Sequence, residues 1–125
     1  MNDIKLMNKA ADNIRILAAS MVEKAKSGHP GGAMGGADFV NVLFSEFLVY
    51  DPKNPAGEGR DRYFQDPGHM SPMLYSVLAL AGKFTIDELK EFRQWGSVTP
   101  GHPEVNVMRG IENTSGPLGQ GHTYA

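Results

Sequence analysis

A mostly helical α/β chain with little sheet is predicted by three features of the sequence. Apolar residues recur at spacings of three and four through four separate stretches, the period of amphipathic helices. One short run, Tyr63-Phe64-Gln65, has strand character, and it leads through Asp66-Pro67-Gly68-His69 into a helical stretch. Glycine and proline are abundant but fall in clusters between the periodic segments, as in a folded chain with functional loops. With 125 residues there is material for one domain or part of one.

The first predicted helix covers residues 3–26, where Ile4, Met7, Ala11, Ile14, Leu17, Ala18, Met21 and Ala25 share a face. Asp3 is placed to cap it, Lys24 and Lys26 sit in the last turn where cations suit the helix dipole, and Gly28 and Pro30 end it. A glycine-rich loop is predicted over 28–36, feeding a helix over 37–49 whose apolar face is Ala37, Val40, Leu43, Phe44, Phe47 and Leu48. Such a loop either presents backbone N–H groups to an anion or is a plain helix–helix turn built from small residues. Residues 51–62 form a polar loop, in which Arg60-Asp61-Arg62 is expected to be a solvated charge run.

After the strand candidate, a helix over 70–82 places Met70, Met73, Leu74, Val77, Leu78 and Ala81 on one face, with His69 at its first turn. Thr85-Ile86-Asp87-Glu88 has the form of a capping box. It opens a helix to about Trp95, with Leu89, Phe92 and Trp95 turned inward and Gly96 as its stop. Residues 97–115 are predicted loop, a length that usually marks function or flexibility, and 116–121 begins a further helix.

Composition narrows the function. Acidic and basic residues nearly balance, at a net charge of -2, and there is no Lys/Arg-rich block, so no nucleic-acid partner is expected. The absence of cysteine excludes a disulfide scaffold or a thiolate metal site and fits a cytoplasmic location. The apolar runs are too short to span a bilayer, and Met1-Asn2-Asp3-Ile4-Lys5 has no signal core, so no membrane association is expected.

The 4 histidines carry the chemistry, and every one follows a glycine: His29, His69, His102 and His122. A single Gly-His turn is usually plain surface. The repetition, with Pro30, Pro67, Pro100 and Pro103 close by, marks turns shaped for contact with a ligand. Metal ligation is one reading, but histidine-only sites normally recruit a carboxylate or water and have no need of a Gly-Pro setting. A phosphate or polyol site suits the residues better, because imidazole donates to oxygen and moves protons near neutral pH. No Gly-x-x-x-x-Gly-Lys-Ser/Thr motif is present, which argues against a nucleotide P-loop.

Taken together, Lys26-Ser27-Gly28-His29-Pro30-Gly31, Gly68-His69, Leu89-Lys90-Glu91-Phe92-Arg93-Gln94, Thr99-Pro100-Gly101-His102-Pro103 and Gly116-Pro117-Leu118-Gly119-Gln120-Gly121 resemble the N-terminal part of the transketolases, in order and in spacing, over residues 8–121. The resemblance implies the first part of a doubly wound domain that binds thiamine diphosphate together with Mg²⁺ or Ca²⁺. It also implies transfer of a two-carbon ketol unit from a ketose phosphate to an aldose phosphate, as in the pentose phosphate pathway. On the matched positions, His69 would contact the diphosphate, and Gly116, Pro117 and Leu118 would meet the aminopyrimidine. His29 would bind substrate and move protons, and His102 would bind donor hydroxyls.

The chain departs from the family pattern at Ala33, Gly36 and Pro67, and after Gly121, where His122 receives no role. The family's metal ligands and its remaining domains are expected beyond Ala125, so this chain is expected to carry no metal ligand and to be inactive alone. The whole enzyme is expected to be a homodimer with sites between subunits. The chain itself is expected to self-associate through Phe44, Phe47 and Leu48, or to be partly disordered over 97–115. Dihydroxyacetone synthase or deoxyxylulose-phosphate synthase, and a non-catalytic binding or assembly module, are the alternatives.

Overall fold

Asp3 caps the first helix as its position predicts: its carboxylate accepts the Leu6 N–H at 2.9 Å. The computed structural model describes residues 2–124. Helix α1 runs Ile4–Ala25 and ends at Lys26 in a left-handed conformation, φ 49°. Ala11, Ile14, Ala18 and Met21 are its buried stripe, packed on the helices that follow. Ile4 belongs to the predicted face but is exposed.

The glycine-rich stretch is helical, not the predicted loop: α2 spans Pro30–Gly35 and α3 spans Ala37–Val42. Proline is tolerated at the first helical position, where its missing N–H is not needed. Two of the glycines, Gly32 and Gly36, serve packing. A Cβ on Gly32 would lie 2.9 Å from Met70 Cγ, and one on Gly36 would lie 2.6 Å from Met73 Sδ. Small residues therefore let α2 sit directly on the methionines around α4.

The helix predicted over 37–49 ends early, in a wide π-helical turn Leu43–Phe47. That turn directs Phe44 inward, edge-on to Tyr50 at 5.6 Å and Tyr63 at 5.4 Å. Phe44 is thus buried and Leu48 half-buried, against the expectation that both are exposed, while Phe39 and Phe47 do face outward. Arg60 is not solvated either. Its guanidinium grips both Glu112 oxygens at 2.7 and 2.9 Å and donates to Gly57 O, with only 10% of its side chain exposed.

Tyr63-Phe64-Gln65 does not form the predicted strand. Among the described residues the only β-pairing is an isolated bridge between Asn106 and Ile111. The extended segment is paired by side chains instead: Gln65 N–H donates to Asn113 Oδ1, and Tyr63 OH donates to Gln65 Oε1. Burial raises the Tyr63 phenol to about 12, so it remains a donor. The little-sheet expectation holds, with less sheet than the one strand allowed.

A 3₁₀ turn, Gly68–Met70, leads into α4, Ser71–Leu80. Every residue from Ser71 to Leu78 is buried, so α4 is the central helix and not the one-faced helix its sequence period suggests. Both bonds of the capping box at Thr85 and Glu88 form, at 2.8 and 3.2 Å, and open α5, Ile86–Lys90. The chain then turns, with Arg93 at φ 62°, short of the predicted end. Leu89 and Phe92 are buried as predicted, but Trp95 is fully exposed. Residues 97–115 are anchored: Thr99 is buried and its hydroxyl donates to Glu88 O, a 3₁₀ turn covers Val107–Arg109, and Ser115 N–H donates to Pro103 O. The last helix, α6, is Gly121–Tyr124, and the residues predicted to begin it from 116 form a turn. Among the described residues no helix is long and apolar enough to cross a membrane.

Arg109 closes this end of the molecule. It donates to Glu88 Oε1 at 2.6 Å and to Lys83 O, and its charge lies 4.8 Å over the Phe84 ring. The Arg109 hydrogen bond, with the Thr85 N–H, holds the Glu88 carboxyl down from 4.5 to about 2. A carboxylate depressed on folding contributes stability that is complete above its ordinary value and lost as pH falls through the folded one. Stability is therefore expected to decline between pH 4.5 and about 2. The expected loss is on the order of 1 kcal/mol, allowing for solvent screening. Denaturant midpoints measured across that range should show the decline, and Arg109→Ala should flatten it.

Candidate functional site

Three of the four Gly-His turns meet around Gly68, just before the start of α4. The first leaves α1 through left-handed Lys26 and Gly28 at φ 134°, a conformation that favours glycine. A Cβ there would also press on Val22 at 3.0 Å and Phe92 at 3.2 Å. His29 follows in extended conformation at the N-terminus of α2, exposed. The second turn places His69 just before α4, half-buried, with its ring centroid 4.8 Å from that of His29 at an interplanar angle of 62°. An edge-to-face pair of this kind leaves nitrogens of both rings available to a third group.

The third turn is tied to α4 from beneath. Tyr75 OH donates to Pro100 O at 2.8 Å and Ser71 Oγ donates to Gly101 O at 2.6 Å. Burial, with the charge of Glu104, raises the Tyr75 phenol far above its ordinary range and keeps it a donor. His102 is thereby brought against Gly68. A Cβ on Gly68 would lie 3.1 Å from His102 Nδ1 and 2.4 Å from Ser115 Oγ. Glycine at 68 is what lets the His69, His102 and Ser115 turns close on one another.

The fourth segment is Gly116–Leu118. Gly119 N–H donates to both carboxylate oxygens of Asp66 at 3.2 and 3.1 Å, and Gly116 N–H donates to Gln120 Oε1. These bonds hold the segment beside the turn that carries His69, with Pro117 and Leu118 exposed. His122 lies on α6, exposed.

Two buried polar atoms here have no protein partner: Ser115 Oγ and Asn113 Nδ2. An unpaired buried donor is costly and calls for an explanation. Ser115 Oγ stands where the His69, His102 and Gly116 turns meet, as a donor reserved for a ligand or water would. The sequence assigns no role to Ser115, Asn113 or Asp66, which lie in no periodic stretch and follow no histidine. Their one signal is position, directly beside the Gly-Pro turns. Among the described residues no three His, Cys, Asp or Glu side chains are gathered to hold a metal ion. The three imidazoles and the hydroxyl form instead a set of donors for oxygen.

Residues 6–125 match the family model described as transketolase, thiamine diphosphate binding domain. The chain is 53% identical over 117 residues to the transketolase of Buchnera aphidicola subsp. Baizongia pistaciae, covering 93% of this chain and 18% of that protein. It is similar to the crystal structure of transketolase from Campylobacter jejuni, with a TM-score of 0.89 and 47% identity over 96% of this chain and 19% of that one. It is also similar to the Pichia stipitis transketolase in complex with sedoheptulose 7-phosphate, with a TM-score of 0.88 and 44% identity over 93% and 17%. The chain thus spans under a fifth of the length of these relatives.

Proposed function

The chain belongs to the transketolase family, in its thiamine-diphosphate-binding domain, and from that premise we propose that it builds one wall of a ketol-transfer site. The whole protein would move a two-carbon ketol unit from a ketose phosphate to an aldose phosphate. The observation that carries this reading is the convergence of His29, His69 and His102 around Gly68, with the Ser115 hydroxyl unspent among them.

The residues fit thiamine diphosphate: half-buried His69, a glycine with no room for a side chain and an unpaired buried hydroxyl bring donors for oxygen together. His69 is assigned to the diphosphate, and the backbone of Gly116, Pro117 and Leu118 to the aminopyrimidine. The bound cofactor supplies the carbon chemistry. His29, exposed beside His69, is assigned as the catalytic residue that binds substrate and exchanges protons with it. Imidazole is a side chain suited to that work, because it both donates to and accepts from oxygen. His102 is assigned to hydroxyls of the donor sugar. The divalent cation, Mg²⁺ or Ca²⁺, is assigned no ligand in this chain, and no step is routed through it. Residues 1–125 would form the first portion of the cofactor domain of a cytoplasmic homodimer. Its substrates would be sugar phosphates, with no nucleic-acid or membrane partner.

The test is a coupled assay on the whole protein that carries this sequence, with a ketose phosphate donor and thiamine diphosphate. Transfer to ribose 5-phosphate that is at least tenfold slower in His29→Ala is expected, as for loss of a general acid–base group. Formaldehyde preferred as acceptor would instead identify a dihydroxyacetone synthase. Thiamine-independent turnover would refute the assignment. The 125-residue chain alone is expected to show no transfer.

A further inference from the structure

We infer that Arg93 is the positioning residue that sets the His29 turn against the His102 turn, an inference that rests on the roles proposed for those two histidines. The two turns are brought close only by tertiary structure, and Arg93 touches both. Its NH1 donates to Ser27 Oγ at 2.8 Å, two residues before His29. Its own N–H donates to Thr99 O at 3.1 Å. Its guanidinium lies against the backbone just before His102: a Cβ on Gly101 would be 2.8 Å from Nε and 3.2 Å from Cζ. Nε is buried without a hydrogen-bond partner, so the side chain spends a donor to keep this contact.

The backbone is also unusual. Arg93 is one of two non-glycine residues at positive φ among the described residues, at 62°, a conformation that is uncommon for such a side chain. Strain of this kind persists where the surroundings over-determine it, and it clusters at functional sites. The preceding residue, Phe92, packs its ring edge under Gly28, so the strained dipeptide supports the His29 turn from two directions. Only a planar, forked cation can reach Ser27 with one nitrogen while lying over Gly101 with the others.

The experiment is backbone relaxation and histidine ring spectroscopy on the isotopically labelled 125-residue chain. In Arg93→Ala the order parameters of residues 27–29 and 101–102 should fall from about 0.85 to below about 0.6. The His29 and His102 ring resonances should move, while His122 and the α4 amides stay in place. Arg93→Lys should not rescue. Ser27→Ala, an exposed substitution that spares the fold, should loosen residues 27–29 alone. The inference is overturned if both turns stay rigid in Arg93→Ala, if α4 loosens equally, if lysine restores the wild-type spectrum, or if Ser27→Ala changes nothing. None of these readouts needs thiamine or sugar, so their failure is separable from failure of the proposed activity.

Discussion

Phe92→Ala is expected to lower stability by about 3–5 kcal/mol, the range for truncating a fully buried aromatic. Phe92 is 1% exposed and sits where α1, α4 and the turn after α5 meet. Its ring lies 6.3 Å from that of Tyr75, and its edge carries Gly28. Gly28 and Arg93 on either side have fixed positive-φ backbones, so the surroundings cannot readily collapse into the space left. The same truncation should free the His29 turn. Urea unfolding checks the first part, and a loss below about 1 kcal/mol would mean that the turn is not supported as described.

Gly68→Ala is expected to weaken thiamine diphosphate binding by more than about tenfold and to cost about 1–3 kcal/mol, as overpacking does. The new methyl would need the space of Ser115 Oγ at 2.4 Å and His102 Nδ1 at 3.1 Å. Neither can yield easily: Ser115 is buried and its N–H is bonded to Pro103 O, and the His102 turn is held by Ser71 and Tyr75. The turns would have to part, and the donors would no longer face one ligand. Gly35→Ala is the control, because a Cβ there meets nothing within 4 Å. Calorimetric titration of the two variants should separate them, and equal affinities would show that the close contact at Gly68 is not needed for binding.

Much of this was legible in the sequence where local chemistry decides the outcome. Asp3, the Thr85–Glu88 capping box and the buried stripe from Ala11 to Met21 follow from side-chain reach and helical period. The histidines were found because their Gly-Pro setting recurs, and three of the four do converge. What sequence misread depended on partners distant in the chain. The glycines of 31–36 read as a loop, but they lie in and at the end of α2, where Gly32 and Gly36 leave room for Met70 and Met73. Tyr63-Phe64-Gln65 has strand composition, yet its backbone is paired by the Asn113 side chain. Phe44 and Trp95 exchanged their expected fates through a π-turn and a left-handed arginine, neither of which leaves a periodic trace. No role for Ser115 or Arg93 is legible for the same reason, since the contacts that single them out, with Gly68 and with Ser27 and Gly101, join distant parts of the chain or turn on its fold.

The central claim is that the turns bearing His69, His102 and Gly116 form one ligand site. It is tested most directly by titrating the isotopically labelled chain with thiamine diphosphate and following histidine rings and backbone amides. The predicted result is saturable movement of the His69 ring together with the Ser115, Gly116 and Leu118 amides, with pyrophosphate alone moving His69 but not Leu118. Shifts confined to residues away from these turns, or His69 unmoved while other sites saturate, would contradict the account.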